Sequence, residues 1–428
     1  MKKLSKILAI VMAVAMVLSM SAVAFAAEDD GYVYWLNFKP ESDEILQDIA
    51  AMYTEETGVP VTVVTAASGT YDQTLLSEMD KSTPPTLYVI GSADSVPKWD
   101  DYAYDLTGTP VAEEMNTDAY NLYKADGGLA AIGYCYESFG IIVNPDLVEE
   151  AGHSMDELIN FDGLKAVAED IHARADELGF DAFTSNDMDP SSSWRYTGHM
   201  INLAYFYEER DGGEVWTTAP ESIEGTYVDN FRALYDLCVE NSTVARTELA
   251  TGGHDAEAEF NNGEAAFFVQ GSWEWAAIAE NVPNATMIPY YCGVEGEEEA
   301  GLNNGTGNYW VVNAKADEAS IQATLDFMLW CVTNEEASRI LVDSFGAMPF
   351  TQAAESTNAF LAAAEAYTAN GNYVMDWATN YEPNVDDYRA TFVSMLNIYN
   401  SDPTDANWEQ VRSAIVDGWA YQYSVVNG

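Results

Sequence analysis

The sequence predicts an α/β fold, and its length predicts two domains. Apolar runs typical of strands alternate with helical segments, from YVYWLNF at 32–38 to PTLYVIG at 85–91. Strands that alternate with helices are typical of a parallel sheet with right-handed crossovers. The chain has 428 residues, whereas a single hydrophobic core usually stops growing at about 250–300 residues. We therefore expect two units of this type.

The first strand–helix–strand unit has clear local signals. A helix is predicted after the first strand because Ile45, Ile49 and Tyr53 fall on one helical face. Gly58 follows these residues and is placed to end the helix. VPVTVVT at 59–65 is rich in β-branched residues and predicts the second strand. A further helix then leads to the third strand.

The same alternation recurs in GYCYESFGIIVNPDLVEEAG at 133–152. A strand over 140–143 is followed by Asn144, which can cap a helix, and by Pro145, which suits the first helical position. Gly152 is placed to end this helix. Further strands are predicted within 263–273, 285–290 and 308–313, and the chain from 317 onward is predicted to be mostly helical.

Residues 1–26 have the pattern of a secretory signal peptide. Lys2, Lys3 and Lys6 precede an apolar run, and Ala-Phe-Ala ends at Ala26 before an acidic stretch. An uncleaved membrane anchor is the competing interpretation, since 7–26 is long enough to span a bilayer. We expect cleavage near Ala26, which places the protein outside the cytoplasm, at the cell surface, in the periplasm or secreted.

The chain is strongly acidic, with a formal net charge of -53. Without the signal peptide and its three lysines, 14 basic and 70 acidic residues remain, a net charge of -56. Such a charge repels nucleic acid and anionic lipid. Disorder is excluded because 48% of the residues are hydrophobic and 12% aromatic.

No motif predicts a catalytic centre or a cofactor. The four histidines form no HExxH, and the chain contains no GxSxG, P-loop or GxGxxG sequence. The four cysteines form no CxxC, so a zinc site is not expected. Three disulfide pairings or buried free thiols remain open, and we expect no obligatory disulfide because the chain is large enough to fold on its core.

Four segments carry a family resemblance, in the order 84–108, 128–152, 259–278 and 303–349. EFNNGEAAFFVQGSWEWAAI, for example, is similar to a signature of Phe, Gly-Lys-Ala-Ala-Met and Gly-x-Trp. Together the segments resemble the extracellular solute-binding proteins of ABC importers, in the maltose-binding-protein-like carbohydrate group (family 1). One departure is the lack of a lipobox cysteine at the cleavage site, because the first cysteine is Cys135.

The resemblance implies a two-lobed fold of the periplasmic-binding-protein type, with parallel-type sheets flanked by helices and three hinge crossings. The order of elements assigns 27–136 plus 291–331 to lobe 1 and 137–290 plus 332–428 to lobe 2. The crossings are then expected near 134–138, 288–290 and 329–333.

The resemblance also implies a non-catalytic monomer without a cofactor. It would capture a mono- or oligosaccharide between its lobes, close about the hinge, and deliver the ligand to an ABC transporter permease. The charge keeps a cationic solute, such as a polyamine or a metal ion, as an alternative ligand. Because acid pairs abound in this chain, a secreted glycosidase stays open as an alternative function.

The two tryptophans of GSWEW are expected to have different roles. The resemblance makes Trp273 the ring that stacks on a sugar, while Trp275 packs inward. Ser272 is placed to cap a helix, and residues two apart on a helix are rotated by about 200°. Glu137 corresponds to a carboxylate that accepts sugar hydroxyl groups at the first crossing, and Asp94 lies where the family often has an acid.

Four further residues are ligand-binding candidates because of their positions in the sequence. Trp194 is a second candidate stacking platform, and Arg195 beside it is a candidate donor to the hydroxyl rim of a sugar. Asn37 and Lys39 follow the first strand. Ligands of open α/β sheets bind at the C-terminal ends of the strands, which makes both residues candidates.

Overall fold

The computed structural model describes residues 31–67, 70–189, 192–213 and 216–428. The predicted signal peptide lies outside these ranges. The described strands are β1 (Val33–Asn37), β2 (Val61–Thr65), β3 (Leu87–Ile90), β4 (Asn121–Tyr123), β5 (Leu129–Gly133), β6 (Glu137–Val143), β7 (Asp181–Phe183), β8 (Ala265–Gly271), β9 (Thr286–Ile288), β10 (Ala300–Gly305), β11 (Tyr309–Val312) and β12 (Tyr373–Asp376).

Helices surround these strands along the described chain. The α-helices are α1 (Asp43–Thr57), α2 (Tyr71–Met79), α3 (Val96–Trp99), α4 (Pro110–Glu113), α5 (Pro145–Glu150), α6 (Phe161–Ala173), α7 (Ala175–Leu178), α8 (Asn202–Gly212), α9 (Val228–Glu240), α10 (Ala256–Asn261), α11 (Trp275–Ile278), α12 (Glu318–Thr333), α13 (Glu335–Phe345), α14 (Ala359–Ala369), α15 (Val385–Ser401) and α16 (Asp405–Asn427). A π-helix covers Arg195–Met200, and 3-10 turns cover Pro40–Ser42, Ala93–Ser95, Asp100–Tyr102, Met155–Glu157, Ser272–Glu274, Glu297–Glu299 and Ala378–Tyr381. Of the helices described here, none has the length and apolar character needed to cross a membrane.

The first sheet has the strand order β2-β1-β3-β11-β5-β4. β1 pairs in parallel with β2 and β3, as the alternation of strands and helices predicted. β11 is antiparallel to both β3 and β5, because the chain enters it from the other sheet rather than through a crossover helix. The predicted end of α1 is confirmed, since Gly58 has a φ of 80° and its N–H bonds to the carbonyl of Thr54.

The second sheet has the order β12-β10-β6-β8-β7, and β9 also pairs with β6. Most of its pairings are antiparallel, so the α/β class is confirmed with mixed rather than parallel sheets. Gly140 lies in β6, where a Cβ atom would be 2.4 Å from the carbonyl oxygen of Ile288. Only glycine fits this approach of β9 to β6.

Each sheet has apolar side chains on both faces. In β1, Trp35 belongs to one buried cluster and Leu36 to another. In β6, Ile141 and Ile142 divide in the same way between two further clusters. Neighbouring residues of a strand point to opposite faces. Each sheet is therefore covered on both sides, and we call the unit around the first sheet lobe 1 and that around the second lobe 2.

The chain passes between the sheets at places that differ in part from those expected. β5 lies in the first sheet and β6 in the second, so one passage lies at 134–136. β10 pairs with β6 and β12, although 291–331 was assigned to lobe 1. Phe345 and Phe350 pack into a lobe 1 cluster, although 332–428 was assigned to lobe 2. In place of the predicted second and third crossings, we propose 306–308 and 351–358.

The four cysteines are all described, and all are free and buried. Cys135 and Cys331 belong to a lobe 1 cluster, and Cys238 and Cys292 belong to the main lobe 2 cluster. Burial raises the pKa of each thiol well above its usual range. These thiols therefore behave as small apolar core residues.

Candidate ligand-binding site

Glu137 and Lys39, both predicted site residues, form an ion pair where the two sheets meet. Glu137 begins β6 directly after the first passage, and its Oε1 lies 2.7 Å from Lys39 Nζ. Its Oε2 accepts a hydrogen bond from Asn308 Nδ2 at 3.2 Å, from the passage at 306–308. The side chains of Glu137 and Lys39 are only 6% and 12% exposed. Because a buried carboxylate needs partners, this cluster fixes the first two passages relative to β1.

Asn37 uses its side chain for a local turn. Its Oδ1 accepts from the Lys39 N–H at 3.1 Å, and its Nδ2 donates to the Lys39 carbonyl at 2.7 Å and to Thr65 Oγ1 at 3.1 Å. The residue is fully buried. Asn37 therefore shapes the backbone that presents Lys39 to Glu137.

Asp94 lies on the 3-10 turn Ala93–Ser95, just after β3. The backbone N–H of Ala219, in lobe 2, lies close enough to its carboxylate to favour the charged form and lower its pKa. The turn also contacts Ala378–Tyr381 of lobe 2. Burial raises the pKa of Asp94, against the effect of this N–H group. The two lobes therefore touch at this residue.

Trp273 lies on the turn Ser272–Glu274 that follows β8, and its ring covers Gly271. A Cβ atom on Gly271 would be 2.1 Å from the nearest ring atom, so only glycine leaves room for the ring here. The ring is half-buried, and its centroid is 5.1 Å from that of His199. Ser272 does not cap a helix. Its Oγ accepts instead from the Ser138 N–H, which ties the turn to β6.

Trp275 has different surroundings from Trp273, although it is also half-buried. It begins α11 and meets the ring of Phe360 edge-on, at a centroid distance of 5.1 Å. Phe360 belongs to the second lobe 2 cluster, whereas Trp273 packs against the main one. The two tryptophans of GSWEW thus pack against different clusters.

Trp194 precedes the π-helix and already has close neighbours on its ring. A Cβ on Gly198 would be 2.4 Å from this ring, and the guanidinium carbon of Arg389 lies 3.0 Å from its centroid. Arg195 lies over the ring of Phe268 at 5.6 Å and donates from Nη1 to the Ser192 carbonyl at 3.4 Å. Burial lowers the pKa of Arg195.

Four rings form an aromatic row, which we define as Trp273, His199, Phe139 and Trp377. His199 stacks on Phe139 at 4.9 Å, and Phe139 stacks on Trp377 at 4.9 Å. Trp377 covers Gly305 as Trp273 covers Gly271, since a Cβ on Gly305 would be 2.4 Å from the ring. Of these four rings, only Trp273 was predicted from the sequence. Trp377 lies in the segment DWATNYEPN, which interrupts the helices of the C-terminal region. A large aromatic residue in such an interruption is the sequence feature that could have identified it.

Polar atoms without hydrogen-bond partners lie among and beside these rings. Their solvent exposure is negligible, and they are His199 Nδ1, Trp377 Nε1, Arg195 Nε, Arg389 Nη2 and both carboxylate oxygens of Glu382. Buried polar groups in proteins are nearly always hydrogen-bonded. Other buried atoms of the described chain also lack a partner, but only this group combines half-buried rings with charged side chains. That combination indicates a place where a ligand supplies the missing partners.

The unpartnered groups differ in their charge at neutral pH. Burial lowers the pKa of His199 to about 3, and the charges of Arg389 and Arg195 act in the same direction, so this imidazole is neutral. Burial raises the pKa of Glu382 well above its usual range. Burial also lowers the pKa of Arg389 to about 10, which leaves the guanidinium charged at neutral pH.

Comparison with known families decides the class of protein. No curated protein matches this chain. A sequence profile of the bacterial extracellular solute-binding proteins, however, matches residues 48–370. The chain belongs to this family. Bacterial extracellular solute-binding proteins bind their solutes and are not enzymes, so the glycosidase alternative is wrong.

Solved structures of solute-binding proteins share the fold. RafE from Streptococcus pneumoniae has 16% identity and a TM-score of 0.65, covering 91% of this chain and 99% of its own. The GacH receptor of Streptomyces glaucescens has 16% identity and a TM-score of 0.63, covering 93% and 99%. Lmo0181 from Listeria monocytogenes has 17% identity and a TM-score of 0.65, covering 93% and 98%. This likeness confirms the predicted two-lobed fold.

Two surface hollows of this solute-binding protein lie away from the aromatic row. One of about 560 Å³ is bordered by Arg210, Tyr227 and Asn230. Another of about 470 Å³ is bordered by His172, Asp181 and Arg246. The arginines at both hollows form ion pairs with neighbouring carboxylates. Neither hollow combines stacked rings with unpartnered polar atoms, so we place the candidate site at the aromatic row.

Proposed function

We propose that this solute-binding protein is an exported receptor that captures a mono- or oligosaccharide between its lobes. It then delivers the sugar to the permease of an ABC importer. The observation that carries the proposal is the aromatic row with its unpartnered polar atoms.

A sugar matches this combination of groups. One face of a sugar ring is made of C–H groups and fits the plane of an aromatic ring such as Trp273. Its hydroxyl groups both donate and accept hydrogen bonds. They can therefore accept from Trp377 Nε1 and donate to a Glu382 oxygen, both of which have no partner in the protein.

Solved structures of the same fold support a carbohydrate ligand. RafE is known in complex with raffinose, GacH with acarbose, and Lmo0181 with cycloalternan. The substrate of this chain is our proposal, since identities of 16–17% extend only to the fold.

The proposed site is built from both lobes, which gives a mechanism of capture. Lys39 and Asp94 belong to lobe 1, Trp273 belongs to lobe 2, and Glu137 follows the first passage between them. A ligand that contacts both lobes binds the closed form more tightly and shifts the population towards it. We propose closure about the three passages on sugar binding.

Thermal unfolding of the full mature chain tests the proposal with a panel of neutral sugars, acidic sugars and spermidine. A sugar at a hundred times its Kd should stabilise the fold by about 2.7 kcal/mol. Spermidine tests the alternative of a cationic solute. Among the described residues, no group of three or more His, Cys, Asp or Glu side chains could hold a metal ion. Stabilisation by spermidine and by none of the sugars would contradict the proposal.

A further inference from the structure

Two of the eight arginines differ from the rest in forming no ion pair with a carboxylate of the described chain. Six arginines lie within 4.0 Å of an Asp or Glu side chain, namely Arg174, Arg210, Arg232, Arg246, Arg339 and Arg412. Arg195 and Arg389 form no such ion pair with any residue that the structure describes, in a chain with 70 acidic residues. The two unpaired arginines are the ones at the aromatic row.

Both guanidinium groups also keep an unsatisfied nitrogen in the protein interior. Arg389 is 6% exposed, and its Nε donates to Thr197 Oγ1 at 3.2 Å while its Nη2 has no partner. Arg195 is half-buried, and its Nε has no partner. Both charges lower the pKa of His199, so both groups lie near one member of the row.

The acids near these arginines do not supply the missing partner. Glu382 is the main negative neighbour of Arg389, but its oxygens have no hydrogen bond, and burial favours its neutral form. The exposed Asp386 attracts Arg389 more weakly and forms no ion pair with it. Glu274 attracts Arg195 from beyond 4 Å and accepts from Gln270 Nε2 at 2.7 Å.

Asp187 and Asp189 attract Arg195 more weakly than Glu274 does. Asp187 Oδ1 lies 2.8 Å from His254 Nδ1, and its Oδ2 accepts from the His254 N–H. Asp189 Oδ1 accepts from the Ser192 N–H at 3.3 Å. Five acids of the described chain therefore lie near the two arginines, but none of them forms an ion pair with either guanidinium.

Burying an unpaired cation is costly, and removing one partner of a buried pair usually destabilises a protein. A site that contains two such cations is complementary to an anion. We infer that the captured sugar carries a carboxylate, as in a uronic acid, which binds Arg195 and Arg389 beside Trp194. This inference rests on the proposed function and adds the charge of the ligand to it.

Isothermal titration of the full mature chain tests the charge of the ligand with matched probes. Digalacturonic acid carries carboxylates that galactobiose lacks. Galactose 6-sulfate carries a sulfate ester instead, and it shows whether the site prefers a carboxylate or a sulfate. We expect digalacturonic acid to bind at least tenfold more tightly than galactobiose. Tighter or equal binding of galactobiose overturns the inference and leaves the proposed function intact. Preference for the sulfate overturns the carboxylate assignment, and binding of no sugar overturns both proposals.

Substitution of the two arginines distinguishes a role in ligand binding from a role in folding stability. Arg389→Met removes an unpaired buried charge, so its Tm without ligand should equal or exceed that of the wild type. Its preference for digalacturonic acid over galactobiose should fall about ten- to hundredfold, since a hydrogen bond to a charged group is lost. Arg195→Met should act in the same direction and serves if Arg389→Met folds poorly.

Arg412→Met is the control, because Arg412 has a carboxylate partner, the exposed Asp229. It should leave the preference unchanged. An unchanged preference in both Arg195→Met and Arg389→Met overturns the inference.

Discussion

Replacing Trp273 by alanine should weaken sugar binding while the protein stays folded. The Trp273 ring is half-buried, covers Gly271 and touches His199 at one end of the aromatic row. Its truncation removes one stacking platform and leaves the backbone of the turn unchanged. The Ser138 N–H bond to Ser272 Oγ continues to hold this turn against β6.

The size of both effects follows from the burial of the ring. Loss of a stacking platform costs about 1–3 kcal/mol, by analogy with bases stacked on aromatic rings, which is roughly a 5- to 150-fold rise in Kd. Truncating a fully buried aromatic residue costs about 3–5 kcal/mol of folding stability. A half-buried ring should cost about half of that, roughly 2 kcal/mol, which leaves the protein folded at room temperature.

Trp275→Ala is the matched control, because the same residue type lies two positions away at similar burial. Its ring packs against Phe360 rather than His199, so its loss should lower Tm by a similar amount and leave Kd within about twofold. Calorimetry gives Tm and titration gives Kd for both variants. Equal loss of affinity in both, or wild-type affinity in Trp273→Ala, would refute the platform.

Three further predictions use other features of the site. Gly271→Ala places a Cβ 2.1 Å from the Trp273 ring, so it should raise Kd at least tenfold although no ligand-contacting side chain is altered, and wild-type affinity would contradict this. Small-angle scattering should show a smaller radius of gyration with saturating sugar, and an unchanged radius despite measured binding would mean that the lobes do not close. The pKa of His199 is lowered to about 3 in the folded state, against about 6.5 when unfolded, so the unfolded chain alone takes up this proton as pH falls from 6.5 towards 3. His199→Gln should therefore lose less Tm between pH 7 and pH 5 than the wild type does, and equal losses would contradict the assignment.

Local signals in the sequence predicted much of the secondary structure. Asn144 caps α5, as expected, by accepting from the Asp146 N–H, and Gly58 ends α1. These signals depend on a few neighbouring residues and on backbone conformations that only some side chains allow. The order of motifs likewise predicted the family, because each motif is local.

The passages between lobes and most of the aromatic row could not be predicted in this way. β10 has the sequence AGLNNG, which contains no β-branched or aromatic residue and did not predict a strand, and only its pairing with β6 and β12 shows where it lies. The row joins positions 139, 199, 273 and 377, which are brought together by packing rather than by spacing. The missing ion pairs of Arg195 and Arg389 are likewise visible only in three dimensions.

The buried cysteines have a practical consequence. A thiol reacts as its thiolate, and burial keeps all four native thiols protonated and out of reach of labelling reagents. A single cysteine introduced at exposed Asp386 of lobe 2, which senses the charge of Asp72 in lobe 1, would thus be the only site for a fluorescent dye. Emission from such a dye would change as the lobes approach, which makes the protein a scaffold for an optical sensor of its own solute.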